Sequence, residues 1–160
     1  MVLSAIGAAQ PTFDDLMAIF TAPDKTAMDD LLTKAQSRAQ SHPGWMGMAG
    51  YASATLADHE WTPTAKLKRF NQGKDQLEKA ISTDPNDPVL RLMRLMIQLE
   101  CPFFLGFRSE IDIDLDRLAA ELTNPKSAWP HGFKYKTLSY LANHKELSRE
   151  QKALFKNATL

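Results

Sequence analysis

Residues 70–88, which read FNQGKDQLEKAISTDPNDP, decide the fold class of this chain. The apolar and small side chains of the first part recur every three or four residues, which places them on one face of an α-helix. These side chains are Phe70, Gly73, Leu77, Ala80 and Ile81. The DPNDP run that follows ends the helix, because proline restricts the preceding residue and Asn and Asp favour turns. A second apolar run, residues 89–99, starts at once, so the stretch predicts helices joined by short turns.

The same three- and four-residue periodicity extends over the rest of the chain. Helices are predicted over residues 12–20, 26–40, 45–57, 64–83, 88–100, 109–122, 133–143 and 148–157. The IDIDL run at residues 111–115 also alternates as a strand would, but its apolar spacing continues in helical step to Leu122. The sequence therefore predicts an all-α fold, with a single helical domain over residues 11–160.

Composition excludes some classes of protein. Nineteen Lys and Arg residues balance nineteen Asp and Glu residues, whereas a dedicated nucleic-acid-binding protein usually has a basic excess. No apolar run is long enough to span a membrane. Cys101 is the one cysteine, so no intrachain disulfide can form. We therefore expect no nucleic-acid partner and no membrane span.

The first ten residues, MVLSAIGAAQ, leave two interpretations open. In the first interpretation they are a flexible or packed terminus of a cytoplasmic protein. The sequence favours this cytoplasmic location. Alternatively, the apolar and small residues 2–9 are the end of a secretion signal, although the basic segment is missing and the apolar run is short. In that case the protein is exported or periplasmic.

Two helices resemble those of a tetratricopeptide repeat. In the second helix of such a unit an aromatic residue is followed by small and large residues and a closing proline, and this chain has Phe70, Gly73, Leu77, Ala80 and Pro85. The first helix of a unit is matched by Trp45, Met48, Ala49 and Ala52. The resemblance is degenerate and covers about residues 26–100. It implies antiparallel helical hairpins stacked in an array, with capping helices at the C-terminus.

The candidate binding residues lie on the predicted helix 88–100. This helix is apolar nearly all round, apart from one polar stripe formed by Arg91, Arg94 and Gln98. A charge near a core needs a partner. One interpretation pairs the arginines with an acidic residue from the next helix: Glu110, Asp112, Asp114 or Asp116. The other is a pocket in which the two guanidinium groups bind an anion or a carboxylate.

No motif predicts a catalytic residue, a metal site or a cofactor. The acidic run at residues 112–116 opens like a calcium loop, but Arg117 stands where the loop requires glycine. His59 begins a zinc-protease-like pair, but Pro63 stands where the second histidine would be. We interpret Cys101 as a packed residue, and we expect that the protein is not an enzyme.

Two aromatic segments remain. Residues 101–107, CPFFLGF, are expected to fold over the core, and an exposed hydrophobic docking patch is the alternative. Residues 129–135, WPHGFKY, are expected to cap the final helices, and stacking on a peptide or a nucleic acid is the alternative.

The predicted function is that of a non-enzymatic protein–protein interaction or accessory protein with a tetratricopeptide-like scaffold. Its partner would be a protein or a peptide, docked on apolar residues of helices 45–57 and 88–100. The alternative is a helical protein that binds a small ligand or an anion through Arg91 and Arg94. An enzyme with an unrecognised site is a third, weaker possibility.

Overall fold

A computed structural model describes residues 9–22, 24–156 and 158, and these residues contain helices and no strand. The all-α prediction is therefore confirmed for this part of the chain. The helices are α1 (Phe13–Leu16), α2 (Ala18–Thr21), α3 (Lys25–Gln36), α4 (Pro43–Leu56), α5 (Pro63–Thr83), α6 (Pro88–Glu100), α7 (Ile111–Thr123), α8 (His131–Asn143) and α9 (Arg149–Ala153). Among the described helices, none combines the length and the apolar composition that a membrane span requires.

The three central helices begin at prolines. A proline fits the first helical position because its missing N–H would have no intrahelical acceptor there. The preceding residue caps each helix with its side chain: His42 Nδ1 accepts from the Gly44 amide at 3.0 Å, and Asp87 Oδ1 accepts from the Val89 amide at 2.8 Å. Thr62 does the same for α5. The predicted starts of these helices are therefore correct to within two residues.

Two predicted helices are shorter in the structure. The helix predicted over residues 26–40 ends at Gln36, because the amides of Arg38 and Ala39 bond to carbonyls three residues back instead of four. The helix predicted over residues 12–20 is interrupted at Met17, although Thr12 and Asp15 form the expected capping box. The last helix ends at Ala153, and its predicted end at Asn157 lies outside the described residues.

The described chain separates into two compact units, one up to Pro85 and one from Asn86 onward. The boundary falls within the DPNDP turn. In the first unit, α3 packs against α4 and α4 packs against α5. The sequence prediction of residues 1–10 as a separate terminus concerns mainly residues 1–8, which lie outside the described residues.

The contact between α4 and α5 depends on two glycines. A Cβ atom on Gly50 would lie 2.7 Å from the carbonyl oxygen of Gly73, and one on Gly73 would lie 2.4 Å from the amide nitrogen of Ala54. Gly50 also faces Leu77, whereas Gly73 also faces Ala54. A step forward along α4, from Gly50 to Ala54, therefore corresponds to a step backward along α5, from Leu77 to Gly73. The two helices therefore run antiparallel with their backbones in contact, which no larger residue at either position would allow.

In the second unit, α7 packs against α6. Leu115, Leu118 and Leu122 are buried on α7, as their helical spacing predicts. The WPHGFKY segment begins with the buried Trp129, whose ring meets that of Phe133 edge-on at a centroid distance of 4.9 Å. Both rings belong to the segment, so its capping role for the final helices stays a prediction.

Candidate functional site

The polar stripe of α6 is bound to a carboxylate inside the protein. Arg94 donates two hydrogen bonds of 2.7 Å to Asp114 on α7, from Nε to Oδ2 and from Nη2 to Oδ1. Arg91 Nη1 lies 3.4 Å from the same Oδ1. The Asp114 side chain has no solvent exposure, and Arg94 is also buried. The fork of Arg94 is therefore occupied in the geometry that a guanidinium prefers for a carboxylate.

Of the four acidic residues proposed as partners, the structure selects Asp114. Asp112 instead accepts a hydrogen bond from Gln151 at 2.8 Å. Asp116 is exposed, and Glu110 lies at the edge of the interaction, 4.0 Å from Arg94 Nη2. The salt-bridge interpretation is confirmed. Anion binding by Arg91 and Arg94 stays a prediction, and an anion there would have to compete with Asp114.

Gln98 continues the stripe into the interior. Its side chain has no solvent exposure, and neither its amide nitrogen nor its amide oxygen has a hydrogen-bond partner in the described chain. Burying an amide without a partner costs about 1–3 kcal/mol. Because Gln98 cannot be reached from solvent in this structure, it does not form an open binding surface with the two arginines.

The prediction that helices 45–57 and 88–100 expose apolar residues for docking is wrong. The apolar residues of α4 and α6 are buried, from Trp45 to Leu56 and from Val89 to Leu99 with few exceptions. A partner could contact them only if the chain opened.

Among the described residues of the second unit, the most exposed large apolar side chains lie instead on the turn after α6. Phe103 and Phe104 are 83% and 84% exposed, so the expectation that residues 101–107 fold over the core is wrong for these two side chains. They are consecutive residues of a single 3-10 turn, Phe103–Leu105. Gly106 closes the turn with φ of 65°, a left-handed conformation that a side chain would strain. The alternative of an exposed patch therefore describes the turn correctly.

Cys101 anchors the same turn from inside. Its side chain is buried, and its Sγ lies 3.6 Å from the carbonyl oxygen of Gln98 and 3.8 Å from that of Phe107. Burial raises the pKa of the Cys101 thiol, and the positive charge of Arg108 opposes this only in part. The thiolate is the reactive form of cysteine. Cys101 is therefore a packing residue in this structure, as the sequence predicts.

We expect native Cys101 to react slowly with a disulfide reagent such as DTNB. The thiol is covered, and burial raises its pKa, so a smaller fraction is thiolate in the folded chain than in the unfolded one. Labelling in buffer should therefore be at least about tenfold slower than in urea, where the chain is unfolded. Equal rates in the two conditions would contradict the burial of Cys101.

One cluster that the sequence did not reveal joins the ends of α6 and α8. His144 Nδ1 accepts from the Glu146 amide at 3.3 Å, so Nε2 carries the proton and donates to Glu100 Oε1 at 2.8 Å. The Tyr140 hydroxyl lies 3.4 Å from the same oxygen. Glu100 and His144 are 44 residues apart and belong to no known spacing motif. The cluster holds α8 against the end of α6.

The other histidines do not combine into a metal site. His42 caps α4, and His59 and His131 are exposed. Within the described ranges, no group of three or more His, Cys, Asp or Glu side chains could hold a metal ion.

Comparison with known proteins adds no identification. No family model, no curated protein and no solved structure matches the chain. The tetratricopeptide resemblance therefore stays a prediction from the residues.

Proposed function

We propose that the protein is a non-enzymatic interaction or accessory protein that binds a protein partner through Phe103 and Phe104. The exposure of these two adjacent rings is the observation that carries the proposal. Burying a phenylalanine side chain contributes about 1.5–3 kcal/mol. Two exposed rings on consecutive residues could therefore supply the central anchor of an interface.

The conformation of the turn supports an anchor that is formed before binding. The turn is bounded by the buried Cys101 on one side and by the left-handed Gly106 on the other. A short turn that is held at both ends loses little conformational freedom when it binds a partner. The two rings are therefore presented at a low entropic cost.

The scaffold proposed for this function is the tetratricopeptide-like one. The residues that carry the resemblance are buried as a packing face requires, including Trp45, Met48, Phe70 and Leu77. The antiparallel contact of α4 and α5 also suits a helical hairpin of that type. In such a protein the helices form the support, and the turn after α6 forms the contact surface.

We expect the double variant Phe103→Ser/Phe104→Ser to lose partner binding while it remains folded. The test is cross-linked affinity capture from native cells with wild-type and variant baits, followed by an affinity measurement with the purified captured protein. Loss of both rings should weaken binding at least about tenfold. Thermal melts of the two baits should coincide, because both side chains are exposed.

The matched control is Tyr135→Ser, which removes an aromatic side chain that is 54% exposed on α8. This variant should bind the partner as wild type does. A second copy of the chain is a possible partner, and light scattering would show it as a dimer that the double variant does not form. Equal binding by the double variant and wild type would refute the proposal.

A further inference from the structure

A cavity in the first unit has no role in the proposed function. Its volume is about 390 Å³, it opens to solvent, and it lies between the segment before α1, the end of α3 and the start of α4. The indole of Trp45 forms its inner wall. The indole Nε1 donates to the carbonyl oxygen of Ala9 at 2.9 Å, which holds the segment before α1 against α4. Pockets of this size fit a small organic molecule.

Two cations stand over the indole at the wall of the cavity. Lys34 Nζ lies 5.8 Å from the ring centroid of Trp45, and Arg38 Cζ lies 5.2 Å from it. Both distances are within the range of a cation–π interaction. Among the described residues of the lining, Asp15 is the one acidic residue, and it forms an ion pair with Lys34. The described lining residues therefore carry one net positive charge.

The one carboxylate among the described lining residues, that of Asp15, is already in use. Asp15 Oδ1 accepts from Lys34, and Asp15 Oδ2 accepts from the amide and the hydroxyl of Thr12 at 3.0 and 2.9 Å. Burial raises the pKa of Asp15, but the hydrogen bonds from Lys34 and Thr12 outweigh it and hold the pKa below its ordinary value. The Ser41 hydroxyl donates to the carbonyl oxygen of Arg38.

Hydrogen-bond donors remain available. Arg38 has five N–H groups and donates from Nη1 to the Lys34 carbonyl oxygen at 3.2 Å. Its guanidinium has no carboxylate partner among the residues that the structure describes. The Gln10 amide, also in the lining, can both donate and accept. A cavity with a positive charge and a surplus of donors is complementary to a ligand that is anionic and rich in acceptors.

We infer that this cavity binds a small organic carboxylate, with Arg38 as the main ligand-binding residue. The carboxylate would accept from the guanidinium fork, and the body of the ligand would fill the space between Gln10 and the Trp45 wall. This site is separate from Arg91 and Arg94 and does not depend on the interaction proposed for Phe103 and Phe104.

The test is a titration followed by the indole N–H signals in ¹H–¹⁵N spectra of the full chain. The chain has three tryptophans, and a Trp45→Phe variant identifies the Trp45 signal. Benzoate is the first probe, and its neutral isostere benzamide tests the need for charge. Inorganic phosphate tests whether any anion suffices. We expect a saturable shift of the Trp45 signal with benzoate, at least about tenfold weaker binding of benzamide, and unchanged signals of Trp61 and Trp129.

The variants give the inference its controls. Arg38→Gln should abolish the saturable shift, and Arg38→Lys should retain a weakened one, because lysine keeps the charge without the fork. Arg117→Gln removes an exposed arginine of the second unit and should bind as wild type does. Absence of saturation with benzoate, equal binding of benzamide, tighter binding of phosphate, or unchanged binding by Arg38→Gln would each overturn the inference.

Discussion

Replacing Asp114 with alanine is expected to destabilise the protein by about 3–5 kcal/mol, since it removes the carboxylate from two arginines near the core. Arg94 is buried and donates two hydrogen bonds of 2.7 Å to Asp114, and Arg91 contacts the same carboxylate. Breaking a buried ion pair is costly because the remaining charge cannot be hydrated. Urea unfolding followed by circular dichroism would measure the loss.

Asp116→Ala is the matched control, since it removes an exposed aspartate from the same helix. Its effect should stay within about 0.5 kcal/mol. The pair Arg94→Met/Asp114→Leu should recover much of the stability, because apolar residues of similar size can replace a buried ion pair. If Asp114→Ala lowered the free energy of unfolding as little as Asp116→Ala does, the ion pair would not be buried in solution.

The same variant tests the anion-binding alternative. In Asp114→Ala, Arg91 and Arg94 lack the Asp114 carboxylate, and a small anion such as acetate could enter the space. If Asp114 already takes the place of an anion, acetate should raise the melting temperature of the variant and leave that of wild type unchanged, whereas a rise in wild type as well would support the anion-binding alternative.

The second large effect is expected for Gly73→Ala. The new Cβ atom would lie 2.4 Å from the Ala54 amide nitrogen and 2.6 Å from the Gly50 carbonyl oxygen. These are backbone atoms, so relief requires α4 and α5 to separate along their contact. Overpacking of this kind typically costs about 1–3 kcal/mol and here should reach the upper end of that range. It should exceed the gain of about 1 kcal/mol that alanine has over glycine in a helix.

Gly132→Ala is the control for this prediction. Gly132 lies in the first turn of α8, and a Cβ atom there would meet nothing within 4 Å. This variant should be as stable as wild type or slightly more stable. If Gly73→Ala unfolded at the same urea concentration as Gly132→Ala, this result would contradict the close contact of α4 and α5.

The helices could be predicted from the sequence because their signals are local. The apolar spacing of Phe70, Gly73 and Leu77 identifies the buried face of α5, and the DPNDP run marks the boundary between α5 and α6. A helix face and a cap involve residues only a few positions apart, so the linear sequence displays them directly. For the same reason the stripe of Arg91, Arg94 and Gln98 was recognisable as one helix face.

The candidate sites depend on contacts between distant residues, and there the sequence left alternatives. Four acidic residues were available to Arg94, and the packing of α7 on α6 selected Asp114. The sequence of residues 101–107 does not show whether Phe103 and Phe104 are covered or exposed. In the tertiary structure both side chains are exposed. The cavity near Trp45 joins Ala9 to a residue 36 positions later, and no local motif indicates it.

By itself, the sequence determined the all-α class, the positions of the main helices, the small-residue face of α5 and the polar stripe of α6. Only the tertiary structure decided which acidic residue pairs with the arginines, which aromatic side chains are exposed and where Arg38 meets Trp45. The physical reason is that helix formation follows interactions over three or four residues, whereas burial and ion pairing depend on which helix faces meet.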